Sequence, residues 1–597
     1  MRKLLDERGN SLIIVLLMIV IFTVAGLSLF SATLSGKKKT DVREGDVQAT
    51  ELAEKGIDYL SVLLETQTKS LAGKTAAEFN TKLTDIIREY EVTGLNTGKQ
   101  LDSKVFLKID QRRIVNPADP NDLTQQMTLH STSKVMGKNG KEYSKTISST
   151  IRLGAKTVPD ALKYALGAYN PCRGFSNCTE QPDDGNMFIH GGVAIKGDLY
   201  VERNLVTKST GIYGTSTSWI PSDLPSVEGE NGAKAHLILP GSLYKLTGSP
   251  DYSTHINRTT FTSQNNYSNI SLNDPSAAFT SYTEAGKHYV PVVDNRIPNF
   301  TPIDIEGQRS RFQYSLRGAP FIVEELNDGN FNNNPNHDHI RDKYMNENVY
   351  TNTRNDIKMN GSHHFKRLST PSGNSTYISG KDTYWSSIKF TNGAYFGGDV
   401  TIGNTSETQY NADSYQKFAI DGPMFIDGDL TIWGANVKFN SSIYVTGKTT
   451  IRYSRLEGIR DNQNVEQSVI VFGKGPILIA NNNVYRDTPN IIRGFFYSED
   501  MMQIYGVGSN VEIHGGVFGR KLVLNATRGS VRQGAPIYDK NKLIGYEPDI
   551  YEQNQQNLSP SRSRLKIIYN PELIKNPPQG LPKVTDLAVT TVDRAIK

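Results

Sequence analysis

From Leu12 to Leu34 the chain reads LIIVLLMIVIFTVAGLSLFSATL, 23 residues without a charge. As a helix this run is about 34 Å long, enough to cross a hydrocarbon core of roughly 30 Å. It is longer than the ~7–15-residue apolar core of a signal peptide, and no small-x-small cleavage site follows at once. Lys37, Lys38 and Lys39 come next, then a charged helical stretch. The segment is therefore expected to stay attached as a single membrane span. A buried core helix of this length would show a polar face, and this run has none. Flanking charge does not by itself set the orientation. Arg2, Lys3 and Arg8 stand against Asp6 and Glu7 on one side, and three lysines lie close on the other. That count points the wrong way for an exported C-terminus, but long domains translocate regardless of flanking charge.

Past the lysines, Ala49, Leu52, Ala53, Gly56, Tyr59 and Leu60 recur at three- and four-residue steps and form one apolar stripe of a helix. Ala49, Ala53 and Gly56 keep the stripe thin, so a second helix or a sheet can approach closely. Its partner is either a neighbouring helix in a bundle or the chain's own globular domain, and the spacing leaves both open.

The stretch Glu7-Arg8-Gly9-Asn10-Ser11, followed by Leu12, Ile13, Ile14, Val15, Leu16 and Leu17, resembles the cleavage region of type IV prepilins, and of PilX-like minor pilins in particular. Residues Gln48 to Tyr59, with the run Ala53-Glu54-Lys55-Gly56-Ile57-Asp58-Tyr59, resemble the segment that follows the apolar helix in those proteins. The resemblance covers residues 1–65. It implies cleavage by prepilin peptidase after Gly9, with Asn10 as the new N-terminus. It also implies storage of the apolar helix in the cytoplasmic membrane, and other pilins or pilus assembly proteins as partners. Ile14 occupies the fifth mature position, where major pilins carry a Glu. That departure implies a role other than the repeating filament subunit.

The expected fold class is α+β. A helix extends to about Leu64, and a second helical patch covers Ala76 to Glu91. Strands follow at Val105–Ile109, Met127–Val135 and Tyr143–Leu153, with Asn139-Gly140 as a hairpin signal between the last two. One long helix on a small β-meander matches the pilin pattern. From about 160 the chain changes character. Its 51 Gly and 29 Tyr favour short strands joined by turns. Apolar triplets recur beside Gly-Gly, Gly-Asp and Gly-Lys, as in Met187–Val201, Ala394–Ile402, Met424–Ile432, Ile443–Ile451 and Val511–Gly519. Between 425 and 520 successive copies sit about 18–25 residues apart, the period of a β-solenoid turn. A sandwich of regular hairpins is the alternative. The expected divisions are a leader (1–9), the membrane and pilin-like helix (10–65), a pilin-like α/β region (66–160), a solenoid-like region (161–540) and a C-terminal strand with a Pro-rich tail (541–597). A loop-rich insertion is expected at about 210–385, and the tail is expected to cap or brace the solenoid, whose open end would expose unpaired backbone.

Little catalytic chemistry is legible. Cys172 and Cys178 lie six apart with no histidine nearby, which excludes a four-ligand zinc site. They form a small disulfide loop or remain two thiols. The net charge is only +5, and no basic stripe interleaves with aromatics, so no nucleic-acid partner is expected. Gly447-Lys448-Thr449 ends like a phosphate-binding loop, but Ser442 stands where the motif needs Gly. The Asn-rich run from Asp328 has oxygen side chains at alternate positions, yet His339 falls where a calcium loop needs its bidentate Glu. His337, Asp338, His363 and His364 are the other candidate ligands. Asp399, Asp427 and Asp429 sit in Gly-Asp turns, where Asp satisfies local backbone. No cofactor, metal or catalytic set is expected. The expectation is a minor pilin-like surface subunit for pilus assembly or tip display. The alternatives are a membrane-anchored adhesin outside any filament and an enzyme on extracellular polysaccharide.

Overall fold

A computed structural model describes residues 8–597 apart from 70, 72–75, 92–98, 101–103, 115–123, 139, 157–158, 173–179, 213–217, 231–232, 296–302, 314–321, 326–355, 381–383, 408–414, 462–463, 576, 582–585 and 597. The chain divides into two compact units, one of residues 1–157 with 583–597 and one of residues 158–582.

The first unit opens with helix α1 (Arg8–Lys69), 62 residues long. A second helix, α2 (Ala76–Ile87), follows. Four antiparallel strands come next: β1 (Lys99–Gln100), β2 (Val105–Ile114), β3 (Gln125–Met136) and β4 (Glu142–Lys156). In β3 every second residue from Gln125 to Ser133 is buried, the period expected of a sheet with one face on a core. That core joins Ala53, Ile57, Leu60 and Leu64 of α1 to Phe79 and Leu83 of α2 and to Leu107, Leu129 and Ile151 of the sheet. The sheet has a fifth strand that the sequence does not reveal. Asp586–Ile596 pairs antiparallel with β4, from Asp586 opposite Lys156 to Ile596 opposite Ile147. The whole second unit is thus inserted between two neighbouring strands of one sheet.

The second unit is mainly β, and 28 strands join in one extended sheet. Its long pairings are parallel and fall into three ladders. The strand Val511–Ala526 feeds all three. Val511 lies opposite Leu565, Val517 opposite Leu166, and Leu522 opposite Met187. One ladder carries the triplets Ala394–Phe396, Met424–Ile426 and Ile443–Val445 side by side. Successive levels lie 19 to 30 residues apart, as with Asp429 and Lys448 or Asp399 and Asp429, a looser period than expected. Inward residues from all three ladders form one continuous apolar core.

The order of levels departs from chain order. Strands from Ile357 to Ala526 stack in sequence. The next level is built from both ends of the unit: Leu565–Tyr569 pairs on Val511–Gly515, while Leu166–Ala168 and Met187–Gly191 pair on the rest of that strand. Strands Ala194–Lys196, Leu199–Val201 and Asn204–Lys208 then continue the stack. Two expectations are corrected here. The described parts of the 210–385 region are not one loop-rich insertion. Ser226–Glu228, Ser242–Leu246, Thr376–Ser379 and others are members of the parallel ladders. The tail does not act as one piece either. Leu565–Tyr569 lies inside the stack, and Asp586–Ile596 belongs to the other unit's sheet.

Candidate functional site

Among the described residues the apolar half of α1 has no partner. Leu12, Ile13, Ile14, Val15, Leu16 and Leu17 are all more than half exposed, and the most apolar window of the helix is 0% buried. The helix is long and apolar enough to cross a membrane. Gly9 and Asn10 fall within its first turn, and residues 1–7 lie outside the described residues. The other half is held by its small residues. Ala49 and Ala53 are fully buried, and the Ser133 hydroxyl donates to the Ala49 carbonyl at 2.6 Å. A Cβ on Gly56 would stand 2.1 Å from the Ser131 Oγ and 3.0 Å from a Val105 methyl, so only glycine lets the helix lie this close to β2 and β3. The thin stripe therefore faces the chain's own sheet.

In the second unit, one ladder carries an aromatic column on its outer side. Tyr395, Phe425, Tyr444, Phe472, Tyr497 and Phe518 are successive register partners. The segment Ile303–Phe312 covers the column: Phe312 packs on Phe425 and Tyr444, and Arg309 pairs with Asp427. Pairing explains the carboxylates singled out in the sequence. Asp427 also accepts from the Tyr395 hydroxyl at 2.9 Å and from Thr446 at 3.1 Å. Asp399 accepts the Asp429 N–H at 2.8 Å, and Asp429 accepts the Lys448 N–H at 2.7 Å. Each carboxylate fastens one level to the next.

A second ladder is covered on its outer side by residues 252–267, and a buried polar chain runs beneath. The Tyr267 hydroxyl donates to His255 Nδ1 at 2.6 Å. His255 Nε2 and His190 Nε2 are 2.8 Å apart, and His190 Nδ1 lies 2.9 Å from the Asn525 side-chain oxygen. One set of tautomers satisfies every contact: His255 donates to His190, and His190 donates to Asn525. Both rings are then neutral. Burial holds His190 down to about 3 and His255 down to about 2, with His190 adding to the effect on His255. Lys208, itself lowered to about 8 by burial, lowers both further. These folded-state values lie below the unfolded value near 6.5, so below that pH the unfolded chain binds protons the folded pair refuses. Stability is expected to hold above pH 6.5 and to fall as the pH drops toward 3, by on the order of 1.4 kcal/mol per pH unit for each histidine. Thermal midpoints between pH 7.5 and 5 measure this. His190→Gln with His255→Gln should flatten the slope, and an equally steep slope in that variant would place the titration elsewhere.

A cleft of about 1260 Å³ in the second unit lies where several distant segments meet. Ser218–Pro221, Tyr453, Asn481, Asn483–Arg486, Gly508, Gln533, Pro548–Tyr551 and Gln553 line it. Tyr453, Asn481 and Asn483 adopt positive φ angles of 48°, 56° and 55°. Asparagine tolerates this region; a bulky aromatic rarely does. The buried Arg564 guanidinium braces the 481–486 loop by donating to the Asn483 and Val484 carbonyls, and it donates to Ser509 O at 2.9 Å. The sequence singles out none of these residues. The signal available was the Asn481-Asn482-Asn483 run ending a strand.

Cys172 is disulfide-bonded, and Cys178, the other cysteine of the sequence, lies outside the described residues. His337, Asp338, His339 and the Asn-rich run from Asp328 also lie outside them. His363 Nε2 is 3.1 Å from Asn360 O, and His364 Nε2 is 3.0 Å from Thr391 Oγ1. Among the described residues no cluster of three or more metal-ligating side chains forms. No protein-family model, curated protein or solved structure matches the chain.

Proposed function

We propose that the chain is a membrane-anchored, pilin-like surface subunit, cut after Gly9 and serving pilus assembly or tip display, with its mainly-β unit held outside the cell. In this reading that unit is a β-solenoid whose three parallel ladders are its three faces. The observation that carries the reading is the two-part character of α1. Its apolar first half is bare, while its second half lies on an antiparallel sheet through Ala49, Ala53 and Gly56. A bare helix of this composition needs lipid or neighbouring apolar helices around it, and a pilin moves between those two environments. Prepilin peptidase and other pilins are the partners this reading requires.

The test is the mature N-terminus, determined by mass spectrometry on protein from membranes with and without prepilin peptidase. A chain beginning at Asn10 only when the peptidase is present is the expected result. A chain beginning at Met1 in both would remove the pilin reading and leave a membrane-anchored surface binder.

A further inference from the structure

We propose that the cleft between Trp219 and Tyr485 binds a neutral oligosaccharide chain. The inference rests on the surface display proposed above, but its chemistry comes from the cleft alone. At about 1260 Å³ the cleft exceeds the roughly 300–1,000 Å³ of small-molecule pockets, which suits a chain of several rings over a single metabolite.

Its lining combines two kinds of group. Trp219, Tyr453, Tyr485 and Tyr551 supply flat apolar faces, and Asn481, Asn483, Gln533 and Gln553 supply planar amides. A sugar ring presents a C–H face that packs on an aromatic ring, and an edge of neighbouring hydroxyls that an amide can both donate to and accept from. The Trp219 indole N–H is already used on Pro250 O at 3.0 Å, so its contribution to a ligand is its ring. The Gln533 side chain has no hydrogen-bond partner among the described residues.

Charge narrows the class. Among the described lining residues only Arg486 and Asp549 are charged, and they cancel each other, which favours an uncharged polymer over a polyanion. Asp549 is also engaged, accepting from the Tyr485 hydroxyl at 3.1 Å. The walls are also fixed in advance. Tyr453 is held in its left-handed conformation with its hydroxyl accepting from Asn481 Nδ2 at 3.1 Å. Strain of this kind gathers at binding sites, where a set geometry lowers the ordering cost.

The experiment uses the full chain in detergent and labelled hexasaccharides: β-1,4-glucan, α-1,4-glucan and β-1,4-linked N-acetylglucosamine as neutral probes, a polyuronate as the anionic one, and a random peptide library. At least one neutral probe is expected to bind. Tyr485→Ala should weaken that binding about tenfold or more, the loss of one stacked ring, while Tyr485→Phe stays close to native. Tyr485 is 39% exposed, and an unchanged thermal midpoint for Tyr485→Ala would show the loss to be local. No binding of any neutral probe at about 1 mM, the weak end of specific affinity, would overturn the proposal. So would neutral binding indifferent to Tyr485→Ala, a preference for the polyuronate, or peptide capture in place of sugar. Membrane fractionation of the same protein reports separately on the anchor, so failure of the sugar site and failure of the surface reading are told apart.

Discussion

Asp223→Ala is expected to destabilise the mainly-β unit by about 3–5 kcal/mol, the cost of leaving a buried charge without its partner. Arg528 is 0% exposed, and its guanidinium pairs with Asp223. It also donates to Leu558 O at 2.9 Å and Leu224 O at 3.2 Å. Desolvation pulls the guanidinium below its usual range, and Asp223 is the first of the groups that oppose this. Without Asp223, a cation would remain in the interior with only carbonyls to face. Removing the charge as well should repair most of the damage, because a buried pair exchanged for apolar side chains of similar volume is often neutral. Urea midpoints of the native chain, of Asp223→Ala, and of Asp223→Ala combined with Arg528→Met decide the matter. A double variant no more stable than the single one would mean that Arg528 matters by its shape and not its charge.

Gly167→Val comes second, at about 3 kcal/mol, the upper end of what overpacking usually costs. Gly167 sits in the aromatic column between Phe518 and Tyr200. It has no side chain, so the two rings close over it at 5.6 Å. A Cβ there would stand 1.9 Å from Phe518 Cδ2 and 2.0 Å from Cε2. The ring cannot retreat freely, since Tyr169 and Tyr497 pack against it at 5.6 and 6.2 Å. Adding Phe518→Ala to Gly167→Val should therefore cost less than the two single losses together, a coupling of about 0.5–3 kcal/mol. Strict additivity of the unfolding midpoints would place the strain somewhere other than this contact.

The legible parts of the fold were those written in local pattern. The apolar run and the three- to four-residue stripe of Ala49, Ala53 and Gly56 are properties of one helix. Which surface the stripe meets is not local: it is set by Ser131, Ser133 and Val105, far along the chain. The triplets at 394, 424 and 443 were visible because both of their faces are buried, one in the core and one beneath the Ile303–Phe312 segment. The strands at 226–246 were missed because they are only three to five residues long and are set among Asn, Ser and Pro. The placement of Leu565–Tyr569 between Val511–Gly515 and Ala194–Lys196 was beyond reach, since parallel pairing imposes no turn chemistry on the residues it joins. The cleft was hidden for the same reason. Tyr453, Asn483, Tyr485 and Tyr551 are unremarkable where they stand and become a surface only when several distant segments converge.

The late return of Asp586–Ile596 to β4 bears on how the protein is made. At about 5–20 residues per second, β4 leaves the ribosome roughly 20 to 90 seconds before the strand that pairs with it, about 430 residues later. Through that interval β4 is an unpaired edge, open to any extended chain nearby. Biosynthesis thus leaves a timed vulnerability at the base of the insertion, and a chaperone that shields β4 would act in that window.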